Sequence, residues 1–260
     1  MTGSPERIYI IGSGEVGRRL AQALRTSGSE VVEVTRREGW ARAARDPDGV
    51  RLVCVREEDL AGVLERLKGV SHRSIICVQN GWIRPLLSKL PNVTRGLIWF
   101  TSKAEFFEIL RPSPFHGPHA ESLATRLTAG GIPATSVDSE EFAALESDKM
   151  GFNCVVGLPL AVHGITLRSY LADFRDEARG LFEESVTTCA RALAATRNAR
   201  WWDDFCVAAQ PLGWVTTNSA KALDFRNGAV ARLARRHGIA VPVTDRLLRE
   251  VGFDLSGSPG

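Results

Sequence analysis

The chain reads as α/β: a doubly wound, mostly parallel sheet in the N-terminal half, then an all-helical C-terminal domain. Apolar, β-branched runs alternate with helical periodicity up to about residue 138, after which strand signals stop and helical spacing continues. A glycine-rich turn, Gly12-Ser-Gly14-Glu-Val-Gly17, stands between the first strand and the first helix, where a parallel βαβ unit needs one.

Taken in order, Arg7–Ile11 is the first strand. Residues 15–27 form a helix through Val16, Leu20, Ala23 and Leu24. Residues 30–35, 51–55 and 73–78 are the next three strands. An amphipathic helix over 59–68 joins the last two, with Leu60, Val63, Leu64 and Leu67 on one face. Little helix-sized sequence separates the second and third strands, which predicts a short or irregular crossover. Residues 96–101 and 105–110 are close together and rich in Phe, Trp and Ile, which predicts an antiparallel pair. Residues 111–119, with prolines at 112, 114 and 118, read as a loop. A helix over 121–128 and a strand over 132–137 complete the sheet. A long helix is expected over 140–163, kinked at Gly157 and Pro159. Further helices are expected over 173–196, 203–214, 225–237 and 244–251.

Composition excludes several classes. A chain of 260 residues with 44% hydrophobic and 24% charged content is neither disordered nor fibrous. Its longest apolar run, 154–162, is far short of the roughly twenty residues of a membrane span. A net charge of +3 is too small to argue for nucleic acid. Cys54, Cys77, Cys154, Cys189 and Cys206 form no CxxC pair, and no secretory signal precedes the first strand. Free thiols in a reducing cytoplasm are expected, with no disulfide frame and no metal site. Only five of the 33 basic residues are lysines, so a lysine on an apolar helix needs an explanation.

The glycine turn is the strongest functional signal. Gly12 permits the tight turn, Gly14 lets backbone approach a pyrophosphate, and Gly17 allows the helix to pack on the strand. Ser13, Glu15 and Val16 complete a turn whose helix start offers N–H groups and a positive dipole end to phosphate. This is a Rossmann-type site for a dinucleotide. The second strand runs into Thr35-Arg36-Arg37, where an NAD-preferring site would place an acid. Two guanidiniums there suit a ribose 2′-phosphate and point to NADP, although both would also serve as solvated surface. The expected domains are a dinucleotide-binding domain, 1–138, and a helical substrate and dimerisation domain, 139–260, clasping a cleft.

In the second of these, Lys149 and Asn153 lie four apart on one face of an apolar helix, with Gly157 four further on. A lysine there can protonate a carbonyl oxygen as hydride reaches its carbon. A solvated lysine near Glu146 and Asp148 is the bland alternative.

The chain resembles the ketopantoate reductases (2-dehydropantoate 2-reductases), a family of two-domain NADP-dependent enzymes. The resemblance rests on the N-terminal Ile-Gly-Ser-Gly-Glu-Val-Gly and on Val78-Gln-Asn-Gly81. It rests also on Lys149-Met-Gly-Phe-Asn153-Cys, and on Asp224-Phe-Arg-Asn-Gly228 with His237-Gly-Ile-Ala-Val-Pro242. It implies that Lys149 is the general acid and that Asn153 supports lysine and substrate. Asn80 would meet the nicotinamide ribose and the substrate, and Arg56, after the third strand, would face the cofactor. Asn227-Gly228 is structural.

The departures are specific. A second Asn of the family falls on Gly157 here, its acid before Asp224 is replaced by Ala222, and the segment carrying its substrate Ser is shortened, with Asn218 or Ser219 as stand-ins. The expected function is therefore NADPH-dependent reduction of a 2-oxo acid or related carbonyl, with pantoate chemistry in doubt. The alternatives are an imine- or opine-type reductase and a non-catalytic NADP-binding protein. The expected partners are a small-molecule carbonyl substrate and a second copy of the chain, without nucleic acid or membrane. His163 is a weaker acid candidate, better suited to a helix C-terminus. Trp201-Trp202 and Trp214 are read as core or interface.

Overall fold

The computed structural model describes residues 7–35, 40–217 and 222–254. Among these residues the chain forms two compact units. One takes the N-terminal region to Gln79 together with Ile83–Asp138; the other takes Ser139 onward with the three residues Asn80–Trp82.

The first unit begins β1 (Arg7–Ile11), α1 (Glu15–Thr26), β2 (Glu30–Val34), α2 (Ala41–Arg45), β3 (Val50–Val53), α3 (Glu57–Arg66), β4 (Ile75–Cys77) and α4 (Arg84–Leu87). It continues with β5 (Thr94–Gly96), β6 (Phe100–Lys103), β7 (Phe106–Ile109), β8 (Ser113–His116), α5 (Ala120–Ala129) and β9 (Ala134–Ser136). Seven strands make one sheet in the order β2-β1-β3-β4-β5-β8-β9. Every neighbouring pair is parallel except β5 with β8. Central strands covered on both faces read as continuous apolar runs, and Ile8 to Ile11 are all buried. Ile10, Leu52 and Ile76 of the sheet, Leu20 and Leu24 of α1 and Leu123 and Leu127 of α5 share one core.

The crossover between β2 and β3 is the five-residue α2, as short as the sequence predicts. Two expectations need correction. The expected antiparallel pair is present as β6 with β7, Lys103 facing Phe106, but its first strand starts only at Phe100 and the pair forms a separate ribbon, while Thr94–Gly96 joins the main sheet as β5. Residues 111–119 are not all loop, because β8 lies within them. Pro114 is tolerated there because it contributes its carbonyl, which accepts from the Leu97 N–H at 3.0 Å. Gly96 makes room for Phe115, since a Cβ at Gly96 would fall 2.2 Å from that ring.

The second unit contains α6 (Ser139–Val155), α7 (Leu158–His163), α8 (Leu167–Asp173), α9 (Arg175–Leu193), α10 (Trp201–Ala209), α11 (Asn227–His237) and α12 (Pro242–Glu250). The expected kink separates α6 from α7, with Gly157 as N-cap and Pro159 in the first turn of α7. Helix α8 is an addition to the sequence reading; its N-cap Thr166 accepts from the Ser169 N–H at 3.1 Å. Close packing of α6 on α9 depends on Gly151, where a Cβ would meet Val186 at 2.7 Å and Phe182 at 2.8 Å. Phe182 in turn stacks on Trp201 at 5.1 Å and packs on Phe205 at 4.7 Å, so the Trp pair belongs to a core of aromatic rings. No single helix among the described residues is long and apolar enough to cross a membrane.

Candidate active site

The glycine turn has the geometry its residues demand. Gly12 has φ +107°, a region L side chains avoid, and a Cβ there would press on the Cys54 carbonyl carbon and the Val55 nitrogen at 3.0 Å. The loops after β1 and β3 therefore touch at the point where strand order reverses, the usual ligand position of an open α/β sheet. A Cβ at Gly17 would lie 2.0 Å from the Gly12 carbonyl oxygen, so this packing admits glycine alone. Gly14 differs: it is exposed, it caps α1, and a Cβ there would meet nothing within 4 Å. Open space thus lies over the first turn of α1, whose N–H groups lack intrahelical partners. The turn fits a dinucleotide pyrophosphate. Glu15 is held aside, accepting from Arg18 at 2.6 Å and from Ser102 at 3.1 Å. Arg36 and Arg37 lie outside the described residues. The nearby acid Glu33 is engaged by Arg25 at 2.8 Å. Arg56 is exposed and caps α3.

The carboxyl edge of the sheet is laced together. Gln79, which is buried, donates from Nε2 to the Val53 and Val55 carbonyls at 2.9 and 3.1 Å. Arg95 donates to the Cys77 carbonyl at 3.1 Å. Burial pushes the Cys77 thiol up to about 12, with Arg95 opposing, and pushes the Cys154 thiol to about 12 against the Ser185 hydrogen bond. Both remain protonated at neutral pH and offer no nucleophile.

In the helical unit, Lys149 and Asn153 are 4% and 7% exposed on α6. Lysine is seldom buried so far unless it is paired. The Lys149 ammonium sits over the Phe152 ring at 4.7 Å. Asn153 Nδ2 donates to the Asn80 backbone carbonyl at 2.7 Å, which joins two distant motifs of the sequence. Trp82 anchors the Asn80–Trp82 segment: its N–H donates to Phe225, and its ring packs with Met150, Cys154 and Val230. Asn80 Oδ1 is buried without a hydrogen-bond partner among the described residues. An orphaned acceptor of this kind suits a bound hydroxyl or N–H donor.

Other sequence candidates resolve structurally. His163 ends α7 with Nε2 2.8 Å from Glu177 and stacks on Phe174 at 4.2 Å. Asn227 opens α11, and Gly228 gives way to Phe253, whose ring a Cβ would meet at 2.6 Å. Ala222 occupies the left-handed region at φ 50°, while Asn218 and Ser219 lie outside the described residues. The bracing role of Gln79 is not announced by its place in Gln79-Asn-Gly81, since its partners are backbone carbonyls of the strand and loop at Val53 and Val55.

Solved structures share this fold. A ketopantoate reductase from Ralstonia eutropha JMP134 is 18% identical with a TM-score of 0.76, covering 95% of this chain and 97% of its own. The fold is that of the ketopantoate reductases. A dimeric ketopantoate reductase from Staphylococcus aureus is 16% identical at TM-score 0.73, over 94% of this chain and 96% of its own. D-mandelate dehydrogenase in complex with NADH shares the fold too, at 15% identity and TM-score 0.74, over 95% of this chain and 97% of its own. No protein-family profile matches the sequence, and no curated protein matches it.

Proposed function

We propose that the chain is an NADPH-dependent reductase of a 2-oxo acid or a related carbonyl. The observation that carries this reading is a buried lysine one helical turn from Asn153, which is itself bonded to Asn80, in a chain that has a dinucleotide-ready glycine turn. The turn 12–17 would hold the pyrophosphate, Arg36 and Arg37 the 2′-phosphate, and Arg56 and Asn80 the nicotinamide side. Engagement of Glu33 by Arg25 supports NADP over NAD, since it takes that acid from the ribose. Bound NADPH supplies a hydride from its nicotinamide C4.

The residues of this chain do the rest. Lys149 keeps a proton on Nζ and delivers it to the substrate oxygen as negative charge develops there. Arginine, the basic residue this chain otherwise prefers, cannot release its proton near neutral pH. Asn153 orients the substrate oxygen while its bond to Asn80 fixes its own rotamer. Gly157 and Ala222 leave out two polar side chains, and a Cβ at Gly157 would meet only the Asn153 carbonyl, at 3.1 Å. The favoured substrate is therefore less polar beyond its 2-oxo group than ketopantoate. The shared fold of D-mandelate dehydrogenase, named for an aryl 2-hydroxy acid, supports that direction. The S. aureus neighbour supports a homodimer.

The test is Lys149→Ala. The variant should bind NADPH like the parent and lose turnover by a factor of roughly 10²–10⁴. Undiminished turnover would remove Lys149 from the mechanism.

A further inference from the structure

The helical unit carries a groove of about 630 Å³, within the usual size of small-molecule sites, and none of Lys149, Asn153 and Asn80 lines it. Its walls come from two places. Trp202 and Cys206, four apart on one face of α10, form one side with Gln210, the residue that caps the helix. Opposite them stand Arg168 and Leu171 of α8 and Arg175 at the start of α9.

The wall is braced by backbone. The Arg168 N–H donates to the Gly213 carbonyl and the Leu167 N–H to the Val215 carbonyl, both at 2.9 Å. Gly213 also leaves space for the arginine stem, because a Cβ there would come within 3.2 Å of Arg168 Nε.

The chemistry of the lining is one-sided. Two guanidiniums face the groove and no Asp or Glu lines it. Among the described residues neither guanidinium has a carboxylate partner. Burial pushes the Cys206 thiol up, Arg175 opposing and Asp203 adding to the rise, so the thiol adds no counter-charge; Asp203 acts on the thiol without lining the groove. Of the acids on the same helix, Asp204 accepts from Asn198 at 2.9 Å. The remainder is apolar: Leu171, the Trp202 ring and Val207, which is 70% exposed although large and hydrophobic. Paired guanidiniums recognise carboxylate or phosphate by forked hydrogen bonds, and an aromatic and aliphatic floor takes an apolar body.

We infer that this groove binds a small organic anion, a carboxylate or phosphate head on an apolar body, held by Arg168 and Arg175 against Trp202. The inference does not depend on the reductase reading.

The test is equilibrium titration of the full chain, by calorimetry and tryptophan fluorescence, with phenylacetate, phenyl phosphate, phenylacetamide and inorganic phosphate. Phenylacetate or phenyl phosphate should bind at least about tenfold more tightly than phenylacetamide, the loss expected when a charged hydrogen bond is removed. Inorganic phosphate, lacking the body, should bind more weakly than phenyl phosphate. Arg168→Gln and Arg175→Gln should each weaken the anion about tenfold, while Lys149→Ala leaves its affinity unchanged. Both arginines are exposed, so these variants should fold, and an unchanged circular dichroism spectrum checks it. Failure of both aromatic anions to bind would overturn the proposal. So would binding that survives both arginine changes, or that disappears in Lys149→Ala, since the anion would then lie elsewhere.

Discussion

The glycines of the turn separate two jobs that one motif combines. Gly17 is a packing residue: its missing Cβ is what lets α1 approach the Gly12 carbonyl. Gly14 has open space around it and an ordinary backbone conformation, φ −70°, so its bareness serves only something that comes close from outside. Gly17→Ala should therefore cost about 2–4 kcal/mol of stability, measured by denaturant melting. Gly14→Ala should change stability by less than about 1 kcal/mol, yet weaken NADPH binding roughly tenfold in a fluorescence titration. Equal effects on stability would mean that the turn serves the fold alone. These positions are legible because three glycines at that spacing between a strand and a helix mark a turn that phosphate can approach. Arg51 was not: it is fully buried on β3, donating to the Ala43 carbonyl at 2.8 Å and to the Asp46 and Gly49 carbonyls. Its partners are carbonyls of α2 and of the loop after it, with the Ser74 hydroxyl at 3.0 Å, and no side-chain pattern announces them.

At the scale of elements, four helices meet at one carboxylate. Glu177 of α9 receives the Tyr170 hydroxyl of α8 at 3.0 Å and an Arg246 guanidinium from α12, and His163 of α7 lies 2.8 Å away. Burial alone would push the Glu177 carboxyl up. The hydrogen bonds from His163, Arg246 and Tyr170 outweigh that and hold it below the usual range. A carboxyl with a lowered folded pKa stabilises the protein above its unfolded pKa of about 4.3, and that contribution is lost as pH falls through the folded value. Stability should thus decline below about pH 4.3. Glu177→Gln should be about 1–3 kcal/mol less stable at neutral pH and show a flatter acid limb in thermal melts. An acid limb unchanged by the substitution would show that other carboxylates set it. None of this cluster is visible in sequence, because its members span residues 163 to 246. The same limit explains the strand errors. Prolines masked β8, whose place in the sheet needs a carbonyl at Pro114, and aromatic content could not say which apolar run would join the main sheet. Helices α1 and α11, with long periodic faces, were read within a few residues.

For the molecule as a whole, fold and chemistry were legible to different degrees. The order of strands and helices fixes a doubly wound sheet followed by helices, and the solved ketopantoate reductases share that fold at under 20% identity. Sequence alone picks out Lys149, Asn153 and Asn80 as candidates, but not their burial or the Asn153–Asn80 bond. It did not detect the groove at Arg168 and Arg175, since those residues converge only after α8 and α10 have packed.

The most direct test is steady-state oxidation of NADPH by the full chain with ketopantoate and with phenylpyruvate, a bulkier and less polar 2-oxo acid, using NADH as the control. The expected result is turnover with NADPH well above NADH, and a higher kcat/KM for phenylpyruvate than for ketopantoate. Tight NADPH binding with no turnover on either acid would contradict it and leave a nucleotide-binding protein without reductase chemistry.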